Sequence, residues 1–257
     1  MIIPSGKVGT VAGLRNYSTN GLILNVDFSN DYGFAGNTAN DLANSTVKYS
    51  TPGGYVSVVS GSTAAPGYID LDGSTDYLYA TSSPSAFAGL TAFTIDAWVK
   101  LDTSGAIRTI VSNNTSAAAS ANRGFALIIL ANVTPRINLN TGSASYTATL
   151  SSLDMDIGEW ANWFITVEET VVGTTTVMKG KVFKPAGLSA SDFTGSSIST
   201  VGNGITSSNP IAIGRRSTAA IQYWDGMIGA VKIYNRVLPE SEMDFNYNAS
   251  KTRYGHT

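Results

Sequence analysis

Short runs in which apolar and polar residues alternate recur along this chain, and only one segment reads as a helix. The clearest run is Phe93-Thr94-Ile95-Asp96-Ala97-Trp98-Val99-Lys100, which sets Phe93, Ile95, Ala97 and Val99 on one face and Trp98 on the other. That period of two belongs to a strand with one face in a core. Leu22, Leu24, Val26 and Phe28 repeat the pattern near the front of the chain. Residues 55–59 form a short β-rich segment, and further strands are predicted at 107–112, 124–131, 136–140, 145–150, 162–169, 174–183 and 210–214. Turn residues separate these runs at intervals of roughly ten, the spacing of an all-β sandwich.

The last of the runs carries the most punctuation. A turn at Asp225-Gly226 leads into Met227 to Tyr234, and Pro239-Glu240-Ser241-Glu242-Met243 follows. Proline in the first helical position and two glutamates in the first turn predict a short helix to about Tyr247. Tyr68-Ile69-Asp70-Leu71-Asp72, then Gly73-Ser74-Thr75-Asp76, then Tyr77-Leu78-Tyr79-Ala80 has the signature of a hairpin. Residues 29–53 read as loop, and residues 1–21, rich in Gly with scattered Ser, Thr and Asn, as a flexible arm. No repeat or composition break divides residues 22–257, which are expected to form one domain.

Composition narrows the function classes. Charged residues are 13% of the 257, about half the usual share. Sixteen basic against eighteen acidic residues leave a net charge of −2 with no block of one sign. Nucleic-acid binding needs a concentrated basic face, so none is expected. There is no cysteine and one histidine, His256, which removes thiolate metal sites and His-based triads. His256 lies next to the last residue and is expected to be disordered. No apolar run approaches a membrane span, and no basic-then-apolar leader opens the sequence. A protein kept in the cytosol, or released without a standard signal peptide, is expected.

Taken in order, 22–28, 68–78, 93–100, Thr109 to Ser112, Trp163 to Val167, and Asn209-Pro210-Ile211-Ala212-Ile213-Gly214-Arg215 resemble the laminin-G-like members of the concanavalin A-like lectin/glucanase superfamily. The resemblance covers about residues 22–248. It implies an all-β fold, a two-sheet antiparallel jelly-roll sandwich with a short C-terminal helix. Such domains bind glycans or proteins or act as structural modules, and some are hydrolases. The tail from Phe245 to Gly255 is similar to the ends of laminin-G-like proteins in tailed-phage virions. That likeness implies a virion structural protein, a capsid decoration or fibre component made in the host cytoplasm. Its partners would be copies of itself and other virion proteins, with the arm docking onto a neighbour. A glycan-binding adhesion module is the alternative, and a glycoside hydrolase or lyase a remote third.

Several residue groups carry these readings. Asp154-Met155-Asp156-Ile157-Gly158-Glu159 approaches the carboxylate spacing of the superfamily's glucanases. Asp154 is too short for the first position, however, and Gly158 interrupts a strand, so a turn is expected and no catalytic residue is assigned. Asp70, Asp72 and Asp76 are weak calcium candidates, with hairpin chemistry as the competing account. Many relatives carry an aspartate two residues after the glycine-x-isoleucine turn of the last strand. Here that position is Gly229, which argues against a metal. Tyr79, Tyr223 and Trp224 sit beside turns and are the candidates for stacking on a sugar face; core packing is the competing account, and the expected one for Trp98 and Trp163. Arg215 and Arg216 are candidates for docking a partner, or for bridging to Asp225, against a solvated loop.

Overall fold

The computed structural model describes residues 17–28, 34–35, 38–40, 48–50, 57–59, 67–80, 87, 89–114, 124–140, 145–150, 153–171, 175–184, 193–194, 209–217 and 221–257. Its strands begin with β1 (Leu22–Asp27), β2 (Phe34–Ala35), β3 (Thr38–Asn40), β4 (Lys48–Ser50), β5 (Ser57–Val59), β6 (Tyr68–Asp72), β7 (Leu78–Ala80), β8 (Ala92–Leu101) and β9 (Arg108–Ser112). They continue with β10 (Gly124–Ile129), β11 (Pro135–Asn140), β12 (Ser145–Thr149), β13 (Trp160–Val171), β14 (Thr175–Phe183), β15 (Phe193–Thr194), β16 (Ala212–Ile213) and β17 (Asp225–Tyr234). Helix α1 (Glu240–Ser250) and a 3-10 turn (Lys251–Tyr254) end the chain.

One sheet runs β15-β14-β13-β8-β17-β6-β5, with β1 also on β17, and the other runs β12-β11-β10-β9-β16-β7-β4-β3-β2. Every pairing is antiparallel. Of the inward sets predicted from the alternation, Phe93, Ile95, Ala97 and Val99 of β8 and Leu24, Val26 and Phe28 enter one core, with Trp163 and Ile165 of β13 and Phe125 and Leu127 of β10. Leu22, before a register shift in β1, packs instead with the cluster that holds Leu238 and Met243. Phe93 and Phe125 touch across the sandwich with ring centroids 5.2 Å apart. The architecture is the two-sheet, concanavalin A-like jelly roll. Trp163 is core, as expected. Trp98 is also buried, but it packs outside this core, on the opposite face of β8.

Three expectations about the elements themselves need correction. Residues 68–80 are not a hairpin. β6 pairs with β17 and β5 in the first sheet, whereas β7 pairs with β16 and β4 in the second, so the turn residues carry the chain from one sheet to the other. The Asp72 carboxylate organises that crossing, accepting from the backbone N–H groups of Ser74 (2.9 Å), Thr75 (2.7 Å) and Asp76 (3.0 Å) and from both hydroxyls. Residues 29–53 are not all loop, since β2, β3 and β4 fall there; strands of two or three residues are too short to display alternation. Pro239 holds the N-cap position in an extended conformation rather than the first helical turn, and the helix continues to Ser250.

The C-terminal segment covers the outer face of the first sheet, and this explains the unusual residues there. Leu238, Met243 and Tyr247 pack on Phe164, Phe183 and Tyr234. Tyr254 stacks on Trp98 with centroids 4.1 Å apart, and the Trp98 indole donates to Ser250 Oγ at 2.9 Å. Beneath the helix lies a polar layer. Asp96 accepts from Asn162 (2.8 Å) and Asn246 (3.3 Å) and pairs with Lys232 (3.7 Å), while Arg253 pairs with Asp27 (3.3 Å). His256 is not disordered: it is 1% exposed, with Nε2 2.9 Å from the Trp160 carbonyl and Nδ1 3.1 Å from the Tyr247 hydroxyl. Of the expected arm, residues 1–16 lie outside the described residues. Ser18 donates from its backbone to Asn246 Oδ1 at 2.8 Å, and the Tyr17 hydroxyl accepts from Asn25 at 2.7 Å, so residues 17–21 belong to the folded body.

Candidate functional site

The edge where β7, β16 and the approach to β17 meet brings together three of the residues singled out in the sequence. β7 points Leu78 and Ala80 into the core and leaves Tyr79 half-buried on the other face. Arg215 follows β16, and its guanidinium lies 3.6 Å from the ring centroid of Tyr77 and 5.8 Å from that of Tyr79. Tyr77 meets Tyr79 edge-on at 6.5 Å and Tyr223 at 6.1 Å. All four side chains are half-buried. Their stacking holds a planar cation and three amphipathic rings in place before any ligand arrives, which lowers the ordering cost of binding. Tyr77, the hub of this patch, was not a candidate in the sequence. Its signal was position: with β6 and β7 in different sheets, Tyr77 ends the crossing rather than a hairpin turn.

The other two members of those pairs are placed elsewhere. Trp224 is fully buried in the main core and offers no ring to a ligand. Arg216 is on no solvated loop. It is 1% exposed, donates from Nε to Gln222 Oε1 at 2.7 Å and bonds from Nη1 to Asn114 Oδ1. Burial without a neighbouring charge pulls its pKa down to about 10. Asp225 bridges to neither arginine. It pairs with Arg108 at 3.2 Å, and the same guanidinium donates to the carbonyls of Gly73 and Tyr223, each at 3.0 Å.

The carboxylates are occupied locally. Five donors of its own turn hold Asp72 well below the usual carboxylate range, although burial opposes them. Burial raises Asp76 and Asp102, and the repulsion of Asp72 on the first and of Asp70 on the second adds to it. Among the described residues no three His, Asp or Glu side chains are arranged to hold a metal ion. Asp154 and Asp156 lie in the loop before β13, as expected. Asp154 accepts from Thr134 Oγ1 at 2.7 Å, and Asp156 pairs with Lys184 at 3.0 Å. Neither projects from a strand toward a shared space. Among the described residues no helix is long and apolar enough to cross a membrane.

Residues 72–183 match the family model described as the concanavalin A-like lectin/glucanases superfamily, in agreement with the two-sheet fold. Among curated proteins no sequence match is found. The chain is similar in structure to the binding domain of Paraclostridial Mosquitocidal Protein 1, with a TM-score of 0.61 and 17% identity over 90% of this chain and 53% of that one. It is also similar to the receptor binding domain of botulinum neurotoxin D, with a TM-score of 0.58 and 15% identity over 91% of this chain and 53% of that one. A mutant Trypanosoma rangeli sialidase displaying trans-sialidase activity aligns with a TM-score of 0.54 and 15% identity, over 92% of this chain and 34% of that one. The chain thus spans about half the length of the binding domains it matches. At these identities the likeness is one of fold.

Proposed function

We propose that this chain is a non-enzymatic, lectin-like binding module whose docking surface is the patch of Tyr77, Tyr79, Tyr223 and Arg215. The observation that carries this reading is the Arg215 guanidinium stacked 3.6 Å over Tyr77 with two more tyrosines around it. Aromatic faces match the C–H side of a pyranose, and a stacked arginine keeps free edge donors for hydroxyls. Two of the proteins similar in structure are binding domains, one of them the receptor binding domain of botulinum neurotoxin D. The commitment of Asp154 and Asp156 to local partners supports a module without hydrolytic chemistry. On an array of immobilised glycans, the purified chain is expected to bind a subset with millimolar or tighter affinity. Tyr79→Ala and Tyr223→Ala should each weaken that binding about tenfold, as loss of a stacked ring does. An array with no signal, or binding indifferent to both variants, would overturn the reading.

The second reading places the module on a phage particle as a self-associating capsid decoration or fibre component. It rests on the tail, whose residues from Phe245 to Gly255 resemble virion protein ends. The exposed Phe245, on the outer side of α1, gives that tail an apolar contact for a neighbour. A chain that sediments as a monomer at high concentration, and does not add to isolated particles, would remove this reading while leaving the first intact.

A further inference from the structure

The C-terminal segment covers only part of the outer face of the first sheet. Beneath it the charged groups are paired, Lys232 with Asp96, Arg253 with Asp27 and Lys181 with Asp244. Beyond the ring of Tyr254 the face reaches solvent. There the register sets Asp70 of β6, Met227 of β17, Lys100 of β8 and Trp160 of β13 in one row across four strands, about 14 Å long at the usual strand spacing. Ile69, Ile228, Val99 and Ala161 beside them face the core, so the row stands on the outer side, and all four of its side chains are half-buried. Tyr68, also half-buried, lies two residues before Asp70, with its ring centroid 5.9 Å from that of Trp160. The Trp160 ring is held in turn 4.8 Å from that of Tyr254, and the Trp160 carbonyl is bonded to His256. Two aromatic walls are thus fixed beside an open row, which lowers the ordering cost of binding.

The polar groups of this row differ from those under the tail. Among the described residues the Asp70 carboxylate, the Lys100 ammonium, the Tyr68 hydroxyl and the Trp160 indole N–H have no hydrogen-bond or ion-pair partner. The indole of Trp98, on the covered part of the face, donates to Ser250. Asp102, exposed two residues after Lys100, belongs to the same neighbourhood: burial raises its carboxyl, the repulsion of Asp70 adds to that, and Lys100 opposes it. An anionic ligand would meet two carboxylates here, and a cationic one would meet Lys100. A sugar hydroxyl both donates and accepts, so it can use a carboxylate, an ammonium, a phenol and an indole on one surface. The ring faces of Tyr68 and Trp160 match the C–H side of a pyranose, and the Met227 thioether between Asp70 and Lys100 gives the row an apolar floor. A row that crosses four strands is longer than one sugar ring.

We propose that this part of the first sheet is a second glycan site, which takes a neutral oligosaccharide laid along the row from Trp160 to Asp70. It extends the lectin-like reading to the opposite sheet and shares no residue with the patch of Tyr77, so either site can fail without the other. Trp160 is its own reporter. Of the four tryptophans, Trp98, Trp163 and Trp224 are at most 1% exposed, so acrylamide quenching of the chain's fluorescence reads Trp160. The probes are neutral pentasaccharides of glucose, galactose, mannose, xylose and N-acetylglucosamine, with the pentasaccharide of galacturonic acid as the anionic control. At least one neutral probe is expected to shield Trp160 from the quencher, and the acidic one to leave quenching unchanged. Tyr68→Ala and Asp70→Ala should each weaken the shielding probe about tenfold in calorimetry, as loss of a stacked ring or of a hydrogen bond to a charged group does. Both truncate half-buried side chains that hold no polar partner, and unchanged melting temperatures will show that the fold persists. Tyr79→Ala should leave the shielding as it is. Neutral probes that bind while Trp160 stays open to quenching would overturn this site and leave the patch of Tyr77 standing. Shielding that survives both Tyr68→Ala and Asp70→Ala, or that is lost in Tyr79→Ala, would overturn it as well. Equal shielding by the acidic probe would overturn the neutral ligand class, and binding of no probe would overturn the site.

Discussion

Gly229 lacks a side chain because Tyr254 occupies the space that one would fill. A Cβ built at Gly229 would come within 2.7 Å of Tyr254 Cζ, closer than packed atoms tolerate. The register of β17 against β8 also shifts here, between Ile228 and Ala230. The position where many relatives carry an aspartate is thus roofed by a phenol ring, and that ring is one wall of the stack on Trp98. Sequence comparison reads Gly229 as a lost metal ligand, and packing reads it as the seat of the tail. Gly229→Ala is expected to destabilise the fold by about 1–3 kcal/mol, the usual cost of overpacking. In a Tyr254→Ser background the same substitution should cost far less. Thermal unfolding of the four proteins in this cycle measures the coupling, and additive effects would contradict the contact.

Trp98 is the centre of the tail's attachment. It stacks on Tyr254, meets Tyr247 at 5.9 Å and His256 edge-on at 5.0 Å, and donates to Ser250. Trp98→Ala removes every one of these contacts. It should cost ~3–5 kcal/mol, as for other buried aromatic truncations. Limited proteolysis is the second readout: cleavage should begin within 238–257 in the variant, while the two-sheet core survives longer. Cleavage that starts equally throughout the chain would show that the tail is not a separable layer.

His256 should make stability depend on pH. Burial pushes its imidazole below the ordinary 6.5, and its bond to the Trp160 carbonyl and the charge of Glu159 oppose that shift only in part. Lys251 works in the same direction as burial. The unfolded chain therefore takes up a proton near 6.5 before the folded chain does. Stability is complete above that pH, falls as pH drops through the interval between the two values, and levels off below the folded one. Melting temperatures measured from pH 8 to pH 5 should decline in this window. In His256→Asn that component should vanish.

The sheets were legible in the sequence because their strands are long enough to alternate. β8 and β17 present ten residues each. The inward set of β8 is the one the period of two picks out, whereas a register shift between Ile228 and Ala230 changes the phase of β17, so that Ile228, Val231 and Ile233 face the core and Ala230 and Tyr234 the other side. The crossing at Gly73 was not legible, since a turn that ends a hairpin and a turn that changes sheets use the same residues. Only the pairing of β7 with β16 tells them apart. The site was half legible for the same reason. Tyr79, Tyr223 and Arg215 could be placed beside turns, but whether a ring beside a turn faces water or core depends on the partner sheet, and Trp224 faces core. The tail was least legible. His256 packs against residues nearly a hundred positions away, through single contacts that leave no periodic trace.

Arg108 is the remaining joint between the sheets. It rises from β9 and donates to the Gly73 carbonyl at the crossing and to the Tyr223 carbonyl beside the aromatic patch, while pairing with Asp225 at the head of β17. One guanidinium thus ties three segments that local sequence does not join. Arg108→Met keeps much of the packed stem and removes the donors. It should lower stability by about 1–3 kcal/mol, the cost of leaving partly buried acceptors and a carboxylate without their partner. Because Tyr223 is one of the two rings against Tyr77, the same substitution should also loosen the patch. Glycan affinity is then expected to fall even at temperatures where the variant is fully folded. Arg108→Lys, a point charge without the fork geometry, should recover the pairing with Asp225 but not both carbonyl bonds. Stability would therefore return further than affinity. An affinity that tracks stability in both variants would mean that Arg108 supports the fold alone and does not position the patch.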